Sequence, residues 1–217
     1  MRITRIESQK SNPTRKSIYV DGEFALGISA ETLLLYGLRT GDEVTESLLK
    51  QLSAAEGLHA ARRTAMQLLA RRPRSEKEIR DRLREKEFSD EEIQQTLDAL
   101  RSAGLVSDEA FARTFIREQL SLHAKGPLAI KQKLLLLGIN KQTIDRALSE
   151  VLQDVSEAGV ARNAAERFLR STGRKHSDPQ TKRRKLTAFL AGRGFSWDVI
   201  SEVVARSVGP PDTGETM

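Results

Sequence analysis

The stretch SEKEIRDRLREKEFSDEEIQQTL, Ser75–Leu97, decides the fold. Its apolar residues Ile79, Leu83, Phe88, Ile93 and Leu97 carry the spacing of two short amphipathic helices joined by a turn. The same five-point pattern returns at Ile130, Leu134, Ile139, Ile144 and Leu148, each 51 residues later. It returns again at Leu186, Leu190, Phe195, Ile200 and Val204, each 107 residues from the first copy. A leucine-rich helical chain meets such a pattern by chance, so a second mark is needed. The residue after the central apolar position is Ser89, Asn140 or Ser196, and all three types cap helix N-termini. Three copies at a period near 50 predict an array of small helical units.

Outward from each copy, a further helix precedes the pair. His59–Arg71 places Ala61, Ala65, Leu68 and Leu69 on one face, and Pro73 ends it. Ser75-x-x-Glu78 and Ser89-x-x-Glu92 read as capping boxes, and Gly104 as a helix C′ residue. In the second unit Phe111, Ala112, Phe115, Ile116 and Leu120 form the first helix, Pro127 opens the second and Gly138 ends it. In the third, Ala161, Ala164, Ala165, Phe168 and Leu169 precede a polar linker, Ser171–Asp178, before Pro179.

The first 57 residues differ. Asp21-Gly22 between two β-prone runs predicts a hairpin with strands 16–20 and 23–28, and Ile3–Glu7 a third strand. Asn12-Pro13 reads as a turn. Ser29 caps a helix over Ala30–Tyr36, Gly41–Val44 is a turn with a short strand, and Thr45 starts a helix that continues or breaks near Gly57. The expected organisation is a β-hairpin cap with helices (1–57), three-helix repeats at 58–106, 107–155 and 156–206, and a disordered tail at 207–217. The fold class is mainly α, a tandem array of helix-turn-helix-like units.

Composition suits thin-cored helical units: 38% apolar, 5% aromatic and 30% charged. The absence of cysteine excludes disulfides and thiolate chemistry and fits a reducing compartment. No run is long and apolar enough to span a bilayer, and no apolar region follows Met1-Arg2-Ile3-Thr4, so the expected location is cytoplasmic. His59, His123 and His176 stand apart, and no phosphate loop or nucleophile elbow occurs. No catalytic, cofactor or metal residue is expected. Most acids read as helix support, as in the i,i+4 pair Glu78–Arg82.

The net charge is +6 and the excess is local, with residues 156–206 carrying 11 basic and 5 acidic groups. Basic residues gather at the corner before each copy: Arg71, Arg72, Arg74, Arg80, Arg82 and Arg84; then Lys125, Lys131 and Lys133; then Arg174, Lys175, Lys182, Arg183, Arg184 and Lys185. One reading is a basic stripe for a polyanionic or acidic partner. The other is a solvated face, since Glu76, Glu78, Asp81 and Glu85 interleave the first cluster. Trp197 reads as a half-buried core aromatic before it reads as a partner anchor.

With these residues in hand, the chain resembles the RecX family, bacterial regulators of the recombinase RecA. The resemblance covers residues 1 to about 206. It rests on Leu68-Leu69-Ala70-Arg71-Arg72-Pro73-Arg74-Ser75-Glu76-Lys77-Glu78-Ile79-Arg80, on Gly104-Leu105-Val106-Ser107-Asp108-Glu109-Ala110-Phe111-Ala112, and on Lys125-Gly126-Pro127 with Ile130, Leu134 and Gly138-Ile139. Tyr19–Phe24 and Ala30–Leu34 resemble the N-terminal extension of longer members. Leu135-Leu136-Leu137 departs from the family, which usually has charge before Gly138, and the third unit has the long linker. The resemblance implies an elongated, curved array, monomeric, lying in the groove of the RecA–single-stranded-DNA filament. There it would inhibit strand exchange, ATP hydrolysis and co-protease activity, and so modulate recombination, repair and the SOS response, with weak direct nucleic-acid contact at most. The competing expectation is a helix-turn-helix regulator acting on DNA itself. The acidic outer face of the first unit's last helix (Asp90, Glu91, Glu92, Gln94, Gln95, Asp98) opposes that alternative.

Overall fold

A computed structural model of the chain describes residues 1–10, 12–172 and 178–209. Within them lie three strands and ten helices. The helices divide into two compact units, one comprising Met1–Arg74 with Ile79–Leu105, the other Ser75–Glu78 with the chain from Val106 onward.

The first unit opens with an antiparallel sheet in the order β1 (Ile3–Gln9), β2 (Asn12–Val20), β3 (Glu23–Ser29). The β2–β3 turn is Asp21-Gly22, at φ 52° and 95°, the left-handed pair a two-residue hairpin needs. Asn12-Pro13 is not a turn: Asn12 pairs with Gln9, so β2 starts there, four residues before the expected strand. Proline is tolerated at a strand's beginning because its missing N–H costs no ladder bond there. Alternation places Ile18 and Val20 of β2 with Ile3 and Ile28 in a core closed by Val44. The segment around Gly41–Val44 forms no strand, only a bridge between Arg2 and Glu43.

Ser29 accepts from Thr32 N and caps α1 (Ala30–Leu35). Thr45 likewise caps α2, which runs without interruption over Glu46–Leu69. The helix therefore continues through Gly57, one of the two expected alternatives, and absorbs the helix predicted to start at His59. Gly57 makes no turn and lies against the end of the Glu92 side chain. A Cβ on it would lie 1.7 Å from Glu92 Oε1, and Glu92 is the residue that completes the capping box with Ser89. At 1.5 Å per residue, α2 extends roughly 36 Å, enough to serve both the sheet and the first repeat.

A buried carboxylate fastens α2 to the sheet. Glu56 is only 6% exposed. It accepts from Arg15 Nη1 at 2.7 Å, from Ser29 N at 2.7 Å and from Thr32 Oγ1 at 3.1 Å. Arg15 also donates to Gly27 O at 2.9 Å. Such a charge is tolerable in a core only because its oxygens are fully engaged.

The first repeat continues with α3 (Glu76–Arg84) and α4 (Asp90–Ser102). Both predicted capping boxes form, Ser75 with Glu78 and Ser89 with Glu92. Arg82 also pairs with Glu85 at 2.5 Å.

The second unit contains α5 (Asp108–Ser121), α6 (Pro127–Leu136), α7 (Lys141–Asp154), α8 (Glu157–Thr172), α9 (Pro179–Gly192) and α10 (Trp197–Val208). α5–α7 enclose one core and α8–α10 another, with Ala124 contributed to the latter. Of the three apolar registers read in the sequence, every residue is buried except Phe88, which is half-buried. Asn140 caps α7 through Thr143 N as expected. Ser196 does not cap α10 with its side chain; its backbone N–H donates to Glu157 Oε1 at 2.8 Å. α10 runs on through Val208, two residues into the stretch expected to be tail, and 210–217 lie outside the described residues.

Candidate partner-binding surface

The corner between the first and second helix of a repeat begins where a helix ends and the next must be capped. In the second unit, Gly126 occupies that capping position and Pro127 the first helical position of α6. Gly126 N donates to Arg193 O at 2.8 Å, and Leu128 N to Gly194 O at 3.0 Å. Arg193 returns the contact, its Nη1 donating to His123 O at 2.7 Å and Ala124 O at 3.3 Å, while the guanidinium lies 4.6 Å from the Phe189 ring centre. The corner of the second repeat is thus seated on the turn between α9 and α10.

Ser75 stands 51 residues before Gly126, and Leu137-Gly138 stand 56 before Arg193-Gly194. The contact recurs there: Ser75 Oγ donates to Leu137 O at 2.7 Å, and Lys77 carbons lie where a Gly138 side chain would start. Glu76 N adds a bond to Asp108 Oδ1 at 2.9 Å. The corner that looked like one repeated basic surface is first of all a repeated joint. Within the second unit, Ser75–Glu78 meet the turn between α6 and α7 as Gly126 and Leu128 meet the turn between α9 and α10.

The predicted site residues surround these joints unequally. Arg71 and Arg72 are exposed after α2, Arg72 Nη1 reaching Pro73 O at 3.1 Å. Arg74 is half-buried, with Nε 3.4 Å from Leu68 O. Arg80 donates to Gln94 Oε1 at 3.2 Å, and Arg84 to Asp90 Oδ1 at 2.8 Å. The Arg84 bond holds the Asp90 carboxyl below the usual carboxylate range and raises the arginine in turn. In the second repeat Lys125 is half-buried, Lys131 is paired with Asp145, and Lys133 is exposed. Acidic partners are thus seen for Arg82, Arg84 and Lys131 in these two clusters.

The third cluster differs. α9 carries Lys182, Arg183, Arg184 and Lys185 and no acidic residue. Its cap Asp178 accepts from Thr181 N at 2.7 Å and Gln180 N at 3.3 Å. Hydrogen bonding from Thr181 holds the Asp178 carboxyl below its ordinary value, with Arg184 contributing. Lys182 borders a cavity of about 450 Å³ with Leu169, Pro179, Ser207 and Val208. Arg183 donates to Gly209 O, and Arg184 is exposed. Arg174 and Lys175 lie outside the described residues, as does His176.

Trp197 contradicts its expected role. It is 67% exposed at the first position of α10, because Phe195 and Ile200 already fill the core on that helix's inner side. Among the described residues no three His, Cys, Asp or Glu side chains gather as a metal site, and no helix is long and apolar enough to cross a membrane.

Four family models match the chain in order. The N-terminal domain of regulatory protein RecX covers residues 1–45, and the first, second and third RecX three-helix domains cover 61–100, 107–148 and 157–204. The regulatory protein RecX of Clostridium acetobutylicum is 31% identical over 93% of this chain and 94% of its own length. That of Clostridioides difficile is 33% identical over 94% of each. That of Levilactobacillus brevis is 35% identical over 98% of this chain and 79% of its own. A crystal structure of regulatory protein RecX superposes with a TM-score of 0.70 at 28% identity, covering 93% of this chain and 98% of that one. RecX from Lactobacillus salivarius, at 24% identity and a TM-score of 0.62 over 70% of this chain and 97% of its own, shares the fold.

Proposed function

The chain belongs to the RecX family of regulatory proteins, and from that premise we propose that it binds RecA and the RecA filament on single-stranded DNA. Bound there, it inhibits strand exchange, ATP hydrolysis and co-protease activity, and so restrains recombination, repair and the SOS response. The observation that carries the reading is the family match through all four segments, with curated relatives named as regulators over nearly the whole chain. Those names also suggest a protein that works without catalysis.

The geometry supports the reading. Repeats 58–106, 107–155 and 156–206, joined by one recurring contact, suit a partner that is itself a helical polymer and presents one surface many times. The acid-free α9 suits an acidic groove with DNA inside it. The protein acts as a monomer in the cytoplasm, where the filament forms, and its contact with DNA is secondary.

Arg184→Glu with Lys185→Glu tests the surface. The double variant should weaken inhibition of RecA ATPase on single-stranded DNA several-fold, with the loss growing as salt is lowered. Unchanged inhibition removes α9 from the interface. Tight, sequence-dependent binding of free duplex with a steep salt dependence would instead favour a regulator that acts on DNA directly.

A further inference from the structure

The two joints occupy matching repeat positions but differ in chemistry. Leu122 ends α5, Leu128 follows Pro127, and Trp197 opens α10. They are 70%, 55% and 67% exposed. The residues at the same repeat positions one unit earlier are Arg71, Lys77 and Lys141, all exposed as well. The fold therefore tolerates cations at these three positions and does not require apolar groups there. Leucine and tryptophan in their place leave more than half of their surface exposed.

We propose that the joint between the second and third repeats is an apolar anchor for a protein surface. This inference rests on the filament reading and assigns this joint to a recombinase subunit and not to its DNA. Charge decides the occupant. At this joint Lys131 is paired with Asp145, Arg193 donates to the carbonyls of His123 and Ala124, and Lys125 beside Gly126 is half-buried. Acids remain at the surface, Asp198 beside Trp197 and Glu118 4.0 Å from His123. A phosphate chain would meet carboxylates there. A protein pocket lined with apolar side chains, with basic groups on its rim facing Asp198 and Glu118, complements it. Exposed tryptophan and leucine around a rigid joint are the residue types that dominate such contacts, because their area is buried at small entropic cost. Leu128 N bonded to Gly194 O holds the α6 and α10 sides of the surface together.

Trp197 is the chain's single tryptophan, which gives a direct test. The full-length protein is labelled with 5-hydroxytryptophan, whose emission is excited apart from the partner's own tryptophans. Acrylamide quenching is then measured alone, with single-stranded DNA, and with RecA assembled on that DNA, with pelleting in parallel. Quenching should fall several-fold with the filament and stay unchanged with DNA alone. Trp197→Ala, and separately Leu122→Ser with Leu128→Ser, should weaken pelleting at least about tenfold while leaving its salt dependence unaltered. A label that remains fully quenched on a chain that pellets overturns this inference and leaves the filament reading standing. Protection by DNA alone makes the surface a base-stacking one and also overturns it. Failure of the unsubstituted chain to pellet overturns both.

Discussion

Gly126→Ala is the substitution with the most calculable effect. A Cβ built on Gly126 would lie 2.2 Å from Gly194 O and 2.3 Å from Gly194 C, and these are backbone atoms that cannot swing aside. Opening the gap to an ordinary contact means separating the two segments by more than about 1 Å. The bonds from Gly126 N and Leu128 N, at 2.8 and 3.0 Å, would then be lost. Two such bonds contribute about 2 kcal/mol together, and forced displacement in a packed site adds about 1–3 kcal/mol. The entropy gained by removing a glycine from the unfolded chain offsets about 0.5 kcal/mol. The expected loss is about 3 kcal/mol, or roughly a 10 °C fall in the melting temperature of the second unit. Gly104→Ala is the control. Gly104 sits at φ 67° with open space around it, so only backbone strain of about 1–2 kcal/mol applies. Urea unfolding followed by helical circular dichroism reads both. If Gly126→Ala matches the wild type, or costs no more than Gly104→Ala, the joint is not the rigid contact described.

Three further outcomes follow from the same contacts. Ser75→Ala removes a cap for Glu78 N and a donor to Leu137 O, so it should cost about 2 kcal/mol by urea unfolding, where the equivalent exposed change Ser89→Ala removes a cap alone and costs less. Glu56→Ala leaves Arg15, Ser29 N and Thr32 without their acceptor and should cost about 3 kcal/mol, seen as early exchange of the β2 and β3 amides while α8–α10 keep their protection. Asp178 is held below its ordinary value, so its support of α9 is present above the unfolded carboxylate range and is lost as pH falls through the lower folded value. An NMR titration of wild type against Asp178→Ala should show the α9 amides of the wild type loosening in that acidic window, and the variant loose already at neutral pH.

The repeat array was legible because one signal serves both fold and core. Ile79, Ile130 and Leu186 recur at helical spacing, and each is buried. The hairpin was legible from Asp21-Gly22 alone. The merger of two expected helices into α2 was not, since Gly57 left a break and a continuation equally open. Trp197 was misread for a related reason. Its spacing permits a core position, but Phe195 and Ile200 had already filled that core. The basic corners were visible as composition. That the same corners are joints was not, because Ser75 and Gly126 act through different atoms, a hydroxyl in one and a backbone N–H in the other. The signal that could have found the joint lay in register. The corners align at an offset of 51 and their receiving turns at 56, so Leu137-Gly138 and Arg193-Gly194 were identifiable as a matched pair.

The central claim is tested most directly by co-sedimentation of the full-length protein with RecA assembled on single-stranded DNA, with and without ATP. The account predicts that the chain pellets with the nucleotide-bound filament in saturable amounts and stays in the supernatant with DNA alone at moderate salt. A chain that remains soluble beside assembled filaments, or pellets equally with bare DNA, would contradict it.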